Sequence, residues 1–193
     1  MLSRIHTILF DLDGTLTVPV IDFDGLRRRL SLPAGVSIVH ALEDMDAPTR
    51  ERAYEVVHEV ELEAAGNATP APGAVDLIRW LDVEGYATGI ITRNNREAVD
   101  ITLRALDVQF DVIITRECAP PKPAPDAVHE ALRRLRRKPG DTLMVGDYQD
   151  DMLAGKNAGT MTCLVTNGES PSFEADIHVP WLSDLHKLLR KHK

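Results

Sequence analysis

Phe10-Asp11-Leu12-Asp13-Gly14-Thr15 sets two carboxylates two residues apart, directly after the apolar run Ile8, Leu9, Phe10. The run reads as a buried strand that ends in a turn. Residues i and i+2 of a strand point to one face, so Asp11 and Asp13 can converge at its carboxyl end. Open α/β sheets place their ligands at that edge. Two like charges held close are costly unless a cation compensates them or one carboxyl keeps its proton. The competing reading is a solvated acidic turn in which Gly14 supplies backbone freedom. The hexapeptide alone leaves both open.

Working outward, apolar and β-branched runs without polar alternation predict strands over 7–10, 87–91, 112–115, 142–145 and 162–165, with a short sixth at 177–179. Helical spacing of apolar residues predicts helices over 74–83, 96–106, 126–137 and 149–158, the last ending at Gly159. Strand and helix in alternation describe a doubly wound α/β parallel sheet. Residues 19–72 break the alternation and read as helix and loop only, over 23–30, 36–44 and 48–65. Pro70-Ala71-Pro72-Gly73 ends this segment as a hinge-like return. An all-helical insertion beside Asp11 and Asp13 is placed to act as a lid; the plainer alternative is a hairpin that only adds stability.

Composition narrows the function classes. With 22 basic and 30 acidic side chains the net charge is −8, which argues against non-specific nucleic-acid binding. An anionic substrate would then need local positive charge or a metal. No run approaches the length of a membrane span, and the first ten residues lack a secretory pattern. Two cysteines, Cys118 and Cys163, without metal-type spacing, suggest free thiols, packing roles and a reducing, cytoplasmic setting. The terminal Arg190-Lys191-His192-Lys193 fits the end of a helix, where cations are favoured.

Three further signals follow predicted strands. Thr92, in Ile90-Ile91-Thr92-Arg93-Asn94-Asn95, precedes a helix, so its hydroxyl and the next N–H groups can hold an oxyanion, although a plain N-cap is the commoner reading. Lys122 stands between prolines in Pro120-Pro121-Lys122-Pro123, a stiff loop that can fix an ammonium or merely a surface lysine. Val145-Gly146-Asp147-Tyr148-Gln149-Asp150-Asp151 ends another buried strand in carboxylates. A dipole role at a helix start explains Asp150 well and Asp147 poorly. On one edge these residues give four acidic groups, a lysine and a hydroxyl. Hard oxygen donors of that kind match Mg2+. The matching chemistry is phosphoryl transfer, in which one Asp attacks phosphorus and the other serves as general acid and then base. Lys122 and Thr92 would stabilise the transferring group.

In these four motifs, in this order and across nearly the whole chain, the sequence resembles the haloacid dehalogenase-like (HAD) superfamily. The resemblance implies a Rossmann-like core over 1–18 and 73–193, with a small helical cap over 19–72. It implies Asp11 as nucleophile and metal ligand. Asp13 would be the general acid/base, with its backbone carbonyl on the metal. Thr92 and Lys122 would bind phosphate, with Arg93 a further phosphate-binding candidate. Asp147 and Asp151 would complete the Mg2+ site, and Gly14 and Thr15 would shape the nucleophile loop.

An acid at position 13 argues for phosphate chemistry over dehalogenation, and the cap position resembles phosphoglycolate phosphatases and β-phosphoglucomutases. Arg93, Tyr148 and the short cap depart from common patterns and weaken any transfer of substrate identity. The expected activity is Mg2+-dependent hydrolysis of a small phosphate monoester. The alternatives are a phosphomutase and a non-catalytic binding module. A P-loop NTPase fails because Gly155-Lys156-Asn157 lacks its flanking residues, and a receiver domain fails on motif order. The expected partner is a small phosphorylated metabolite, with no nucleic acid or membrane; the sequence leaves the oligomeric state open, with a monomer favoured. Asp22, Arg27, His40 and His58 are the cap-side candidates for substrate contact, against surface or packing roles for each.

Overall fold

The computed structural model describes residues 2–192. Its frame is a six-stranded sheet of β1 (Thr7–Phe10), β2 (Ala87–Ile91), β3 (Val112–Ile114), β4 (Thr142–Gly146), β5 (Met161–Val165) and β6 (Ile177–Val179). All pairings are parallel, in the order β3-β2-β1-β4-β5-β6. The chain winds from β1 outward to β3, then returns to lay β4 on the other side of β1. The reversal opens a crevice between β1 and β4, where such sheets place ligands.

Both faces of the sheet are covered, which explains why the strands read as unbroken apolar runs. Ile8, Phe10, Ile90 and Val145 face one way, against α4 (Ala74–Val83), α5 (Arg96–Leu106) and α8 (Leu182–Lys191). Leu9, Ile91, Ile114 and Met144 face the other, against α6 (Asp126–Leu135) and α7 (Gln149–Ala158). Cys163 belongs to this core, and burial pushes its thiol up to about 12. Cys118 is exposed, so the packing role expected of it is not met. Helix α6 stops two residues before the expected end because Arg136 turns left-handed, at φ 55°. No described helix is long and apolar enough to cross a membrane.

Between β1 and α4 lie three helices, α1 (Phe23–Arg29), α2 (Ile38–Glu43) and α3 (Ala47–Gly66). Leu26, Leu42, Ala53 and Val57 give them a small apolar centre of their own. Each begins on a side-chain cap, from Asp22, Ser37 and Asp46. The segment leaves and rejoins the sheet at adjacent points: Val18 N donates to Thr69 O at 3.0 Å, and Ala71 N to Leu16 O at 2.9 Å.

Candidate active site

Register builds the site. Phe10 is level with Ile90 on β2 and with Val145 on β4. Asp11, Thr92 and Asp147 therefore leave three neighbouring strands at nearly the same height. The ladder continues into the site, with Asp11 N donating to Val145 O at 2.9 Å and Thr92 N to Ile114 O at 3.0 Å. Side chains that follow such anchored backbone are held more firmly than those of free loops.

Carboxylate oxygens of Asp11, Asp147 and Asp151 lie within 4.8 Å of one another. Two glycines permit that approach. A Cβ on Gly14, whose φ is 82°, would stand 2.3 Å from Asp147 Oδ2. A Cβ on Gly146 would stand 2.3 Å from the Cβ of Asp151. Thr15 Oγ1 donates to Asp147 Oδ1 at 3.1 Å, and Tyr148 N to Asp151 Oδ2 at 3.1 Å. Asp151 is thus both a helix-start acceptor and a member of the cluster.

Lys122 is buried in the middle of this acidic group. Its ammonium reaches Asp11 Oδ1 and Asp151 Oδ1, each at 2.5 Å, and donates to Ile91 O at 2.9 Å. Although burial opposes the charged form, the Asp11 and Asp151 carboxylates hold the ammonium above its ordinary range. Burial raises Asp11 well above the usual carboxylate range, against the pull of Lys122. Burial and the charge of Asp151 push Asp147 up to about 6. Three carboxylates so placed are short of positive charge. Their hard oxygens suit a small divalent cation such as Mg2+.

The side chain of Asp13 stands outside this cluster. Asn94 Nδ2 donates to Asp13 Oδ2 at 2.7 Å, while burial raises the Asp13 carboxyl. Thr92 is buried and its Oγ1 accepts from Asn94 N at 3.1 Å. The Arg93 guanidinium bonds Asp150 and the Lys122 carbonyl, which ties the loop after β2 to the start of α7 and to the Lys122 loop. Asn94 and Asn167, whose amide donates to Gly14 O at 2.9 Å, received no role from the sequence. The one signal for Asn94 was the Asn-Asn pair after β2. Asn95 takes the N-cap of α5, which frees Asn94 for Asp13.

The insertion meets this edge through α3. Glu61 is buried and accepts from Asn95 Nδ2 at 2.6 Å and from Arg116 at 2.5 Å. His58 Nδ1 lies 3.0 Å from Asn95 Nδ2. Asp22 caps α1, Arg27 donates to Val36 O at 2.9 Å, and His40 is exposed. Of the four cap-side candidates, only His58 touches the site loops in the contacts described.

The family model described as haloacid dehalogenase-like hydrolase matches residues 27–165. The chain is 32% identical over 198 residues to a haloacid dehalogenase-like hydrolase domain-containing protein of Arabidopsis thaliana, covering 90% of this chain and 81% of that one. It is 30% identical over 211 residues to pyrophosphatase PpaX of Bacillus mycoides, covering 97% of this chain and 98% of that one. Among solved structures it is similar to a HAD phosphatase from Thermococcus onnurineus, with a TM-score of 0.72 and 26% identity, covering 96% of this chain and 98% of that one.

Proposed function

Because the chain belongs to the haloacid dehalogenase-like hydrolase family, we propose that it is a Mg2+-dependent phosphatase acting on a small phosphate monoester through a phospho-Asp11 intermediate. The observation that carries this reading is the meeting of Asp11, Asp147 and Asp151 around the Lys122 ammonium at one sheet edge.

In this reading an Asp11 carboxylate oxygen forms a bond to phosphorus as the ester P–O bond breaks. Asp13 gives its proton to the departing oxygen; the burial that raises its carboxyl favours the protonated form this step requires. Asp13 then takes a proton from water as the water oxygen bonds phosphorus. The bond to Asp11 breaks and phosphate leaves. Lys122 and Thr92 steady the charge on the moving phosphoryl group. Asp11, Asp147, Asp151 and the Asp13 carbonyl are the groups that would hold Mg2+, which when bound would supply positive charge to offset that of the phosphoryl group. Residues 19–72 serve as a cap over a core of 1–18 and 73–193. The two free cysteines suit a reducing, cytoplasmic setting.

The test is phosphate release from a panel of phosphate monoesters and inorganic pyrophosphate, with Mg2+ and with chelator. Mg2+-dependent release from at least one compound, abolished in Asp11→Asn, is the expected result. No release from any, or an Asn variant as active as the parent, would sink the reading.

A further inference from the structure

Glu61 is the carboxylate of the insertion that reaches deepest into the core in the contacts described. Its side chain is 8% exposed, and both of its oxygens accept from the core. The donors come from two separate loops, Asn95 after β2 and Arg116 after β3. Each donor also holds the catalytic edge. Asn95 Oδ1 accepts from Ala98 N at 2.9 Å and so starts α5. Arg116 N donates to Asn94 O at 3.3 Å, and its guanidinium lies 3.5 Å from Arg93 O. Asn94 in turn holds Asp13. One carboxylate from the insertion therefore ties both loops to the residue that handles the leaving group. The Glu61 charge also adds to the raising of the Asp13 carboxyl, after burial as the main cause.

We propose that Glu61 is a positioning and specificity-determining residue: through Asn95 and Arg116 it locks the insertion down over Asp13 and admits only compact leaving groups. This rests on the phosphatase reading above. A compact alcohol leaves the three-residue lock intact. A longer one must separate Glu61 from Arg116, which strands a buried carboxylate and is strongly unfavourable. The lock holds the proton carrier and limits size at once.

The test uses the full chain with Mg2+ and a series of primary-alcohol monophosphates from two to six carbons. For Glu61→Gln, kcat on the shortest compounds falls about tenfold, because Asp13 loses its fixed setting. For the same variant kcat/KM on the six-carbon compounds, relative to the two-carbon ones, rises about tenfold, mainly through KM. Arg116→Gln shifts the ratio in the same direction. The double variant departs from either single by less than about twofold, since both remove one contact. Urea unfolding of each variant separates loss of fold from loss of lock. An unchanged long-to-short ratio in the single variants, with parallel loss at every length, overturns the lock and leaves the phosphatase reading standing. No Mg2+-dependent release by the parent from any ester overturns both.

Discussion

Asn94 Nδ2 and Asp13 Oδ2 lie 2.7 Å apart, joining the loop after β2 to the loop after β1. The amide has only protons to offer at that nitrogen, so it fixes the carboxyl by one oxygen and leaves the other oxygen to carry a proton. Asn94→Ala frees the carboxyl to rotate. The expected result is a fall in kcat of about 10- to 100-fold with KM within about twofold, because general acid/base catalysis depends on placement. Steady-state kinetics on any turned-over ester checks it. The stability loss, read by urea unfolding, is expected near 1 kcal/mol, the ordinary worth of one hydrogen bond.

Lys122→Met removes the ammonium that faces Asp11 and Asp151. Two buried carboxylates then lack their cation. Turnover is expected to fall by at least about 10²-fold, as when an electrostatic stabiliser of the transition state is lost. Without Mg2+, stability at neutral pH falls by about 3–5 kcal/mol, the range for breaking a buried pair. Added Mg2+ recovers part of this by supplying charge to the same oxygens.

Asp147 supplies a pH signature for the metal-free protein. Its folded value is pushed up to about 6, above the ordinary carboxylate value of 3.8. Below the ordinary value the group is protonated whether folded or not, and it carries no penalty. As pH rises toward 6 and beyond, the unfolded state ionises more readily, so folding stability is lost. Two units correspond to roughly 3 kcal/mol. In chelator, Asp147→Asn is therefore expected to be more stable than the parent at pH 7.5 and nearly equal to it at pH 4. Mg2+ is expected to raise the melting temperature of the parent and not of the variant. Equal pH profiles for the two proteins would contradict the assignment.

Gly14→Ala tests the close approach at the turn that follows Asp11. The residue has φ of 82°, and a new Cβ would lie 2.3 Å from Asp147 Oδ2. Backbone strain alone is about 1–2 kcal/mol, and the carboxylate must also move. The expected result is at least a tenfold weaker Mg2+ affinity by titration calorimetry, with the sheet intact by circular dichroism.

Much of this architecture is legible along the chain. Strands 7–10, 87–91 and 177–179 and helices 74–83, 96–106 and 149–158 fall where the sequence places them. In these segments local signals agree: unbroken apolar runs, helical spacing, and a cap or glycine at the end. Helix α3 starts earlier than the apolar spacing predicts because Asp46 caps it and Pro48 sits in its first turn. The acidic cluster was legible too, because each member follows a strand end and parallel strands share an edge. What could not be read is direction. Nothing local tells that Arg93 turns to Asp150 rather than inward. The partnership of Asn94 with Asp13 spans 81 positions and that of Asn167 with Gly14 spans 153. Glu61 looks like any acid on a charged helix until α3 is laid against α5.

The paired crossings at Val18–Thr69 and Leu16–Ala71 have an evolutionary consequence. Both ends of the insertion meet the sheet side by side, so its interior can lengthen, shrink or be exchanged without shifting a strand. A lineage can rewrite residues 19–69 while the strand that leads into Asp11 stays in place.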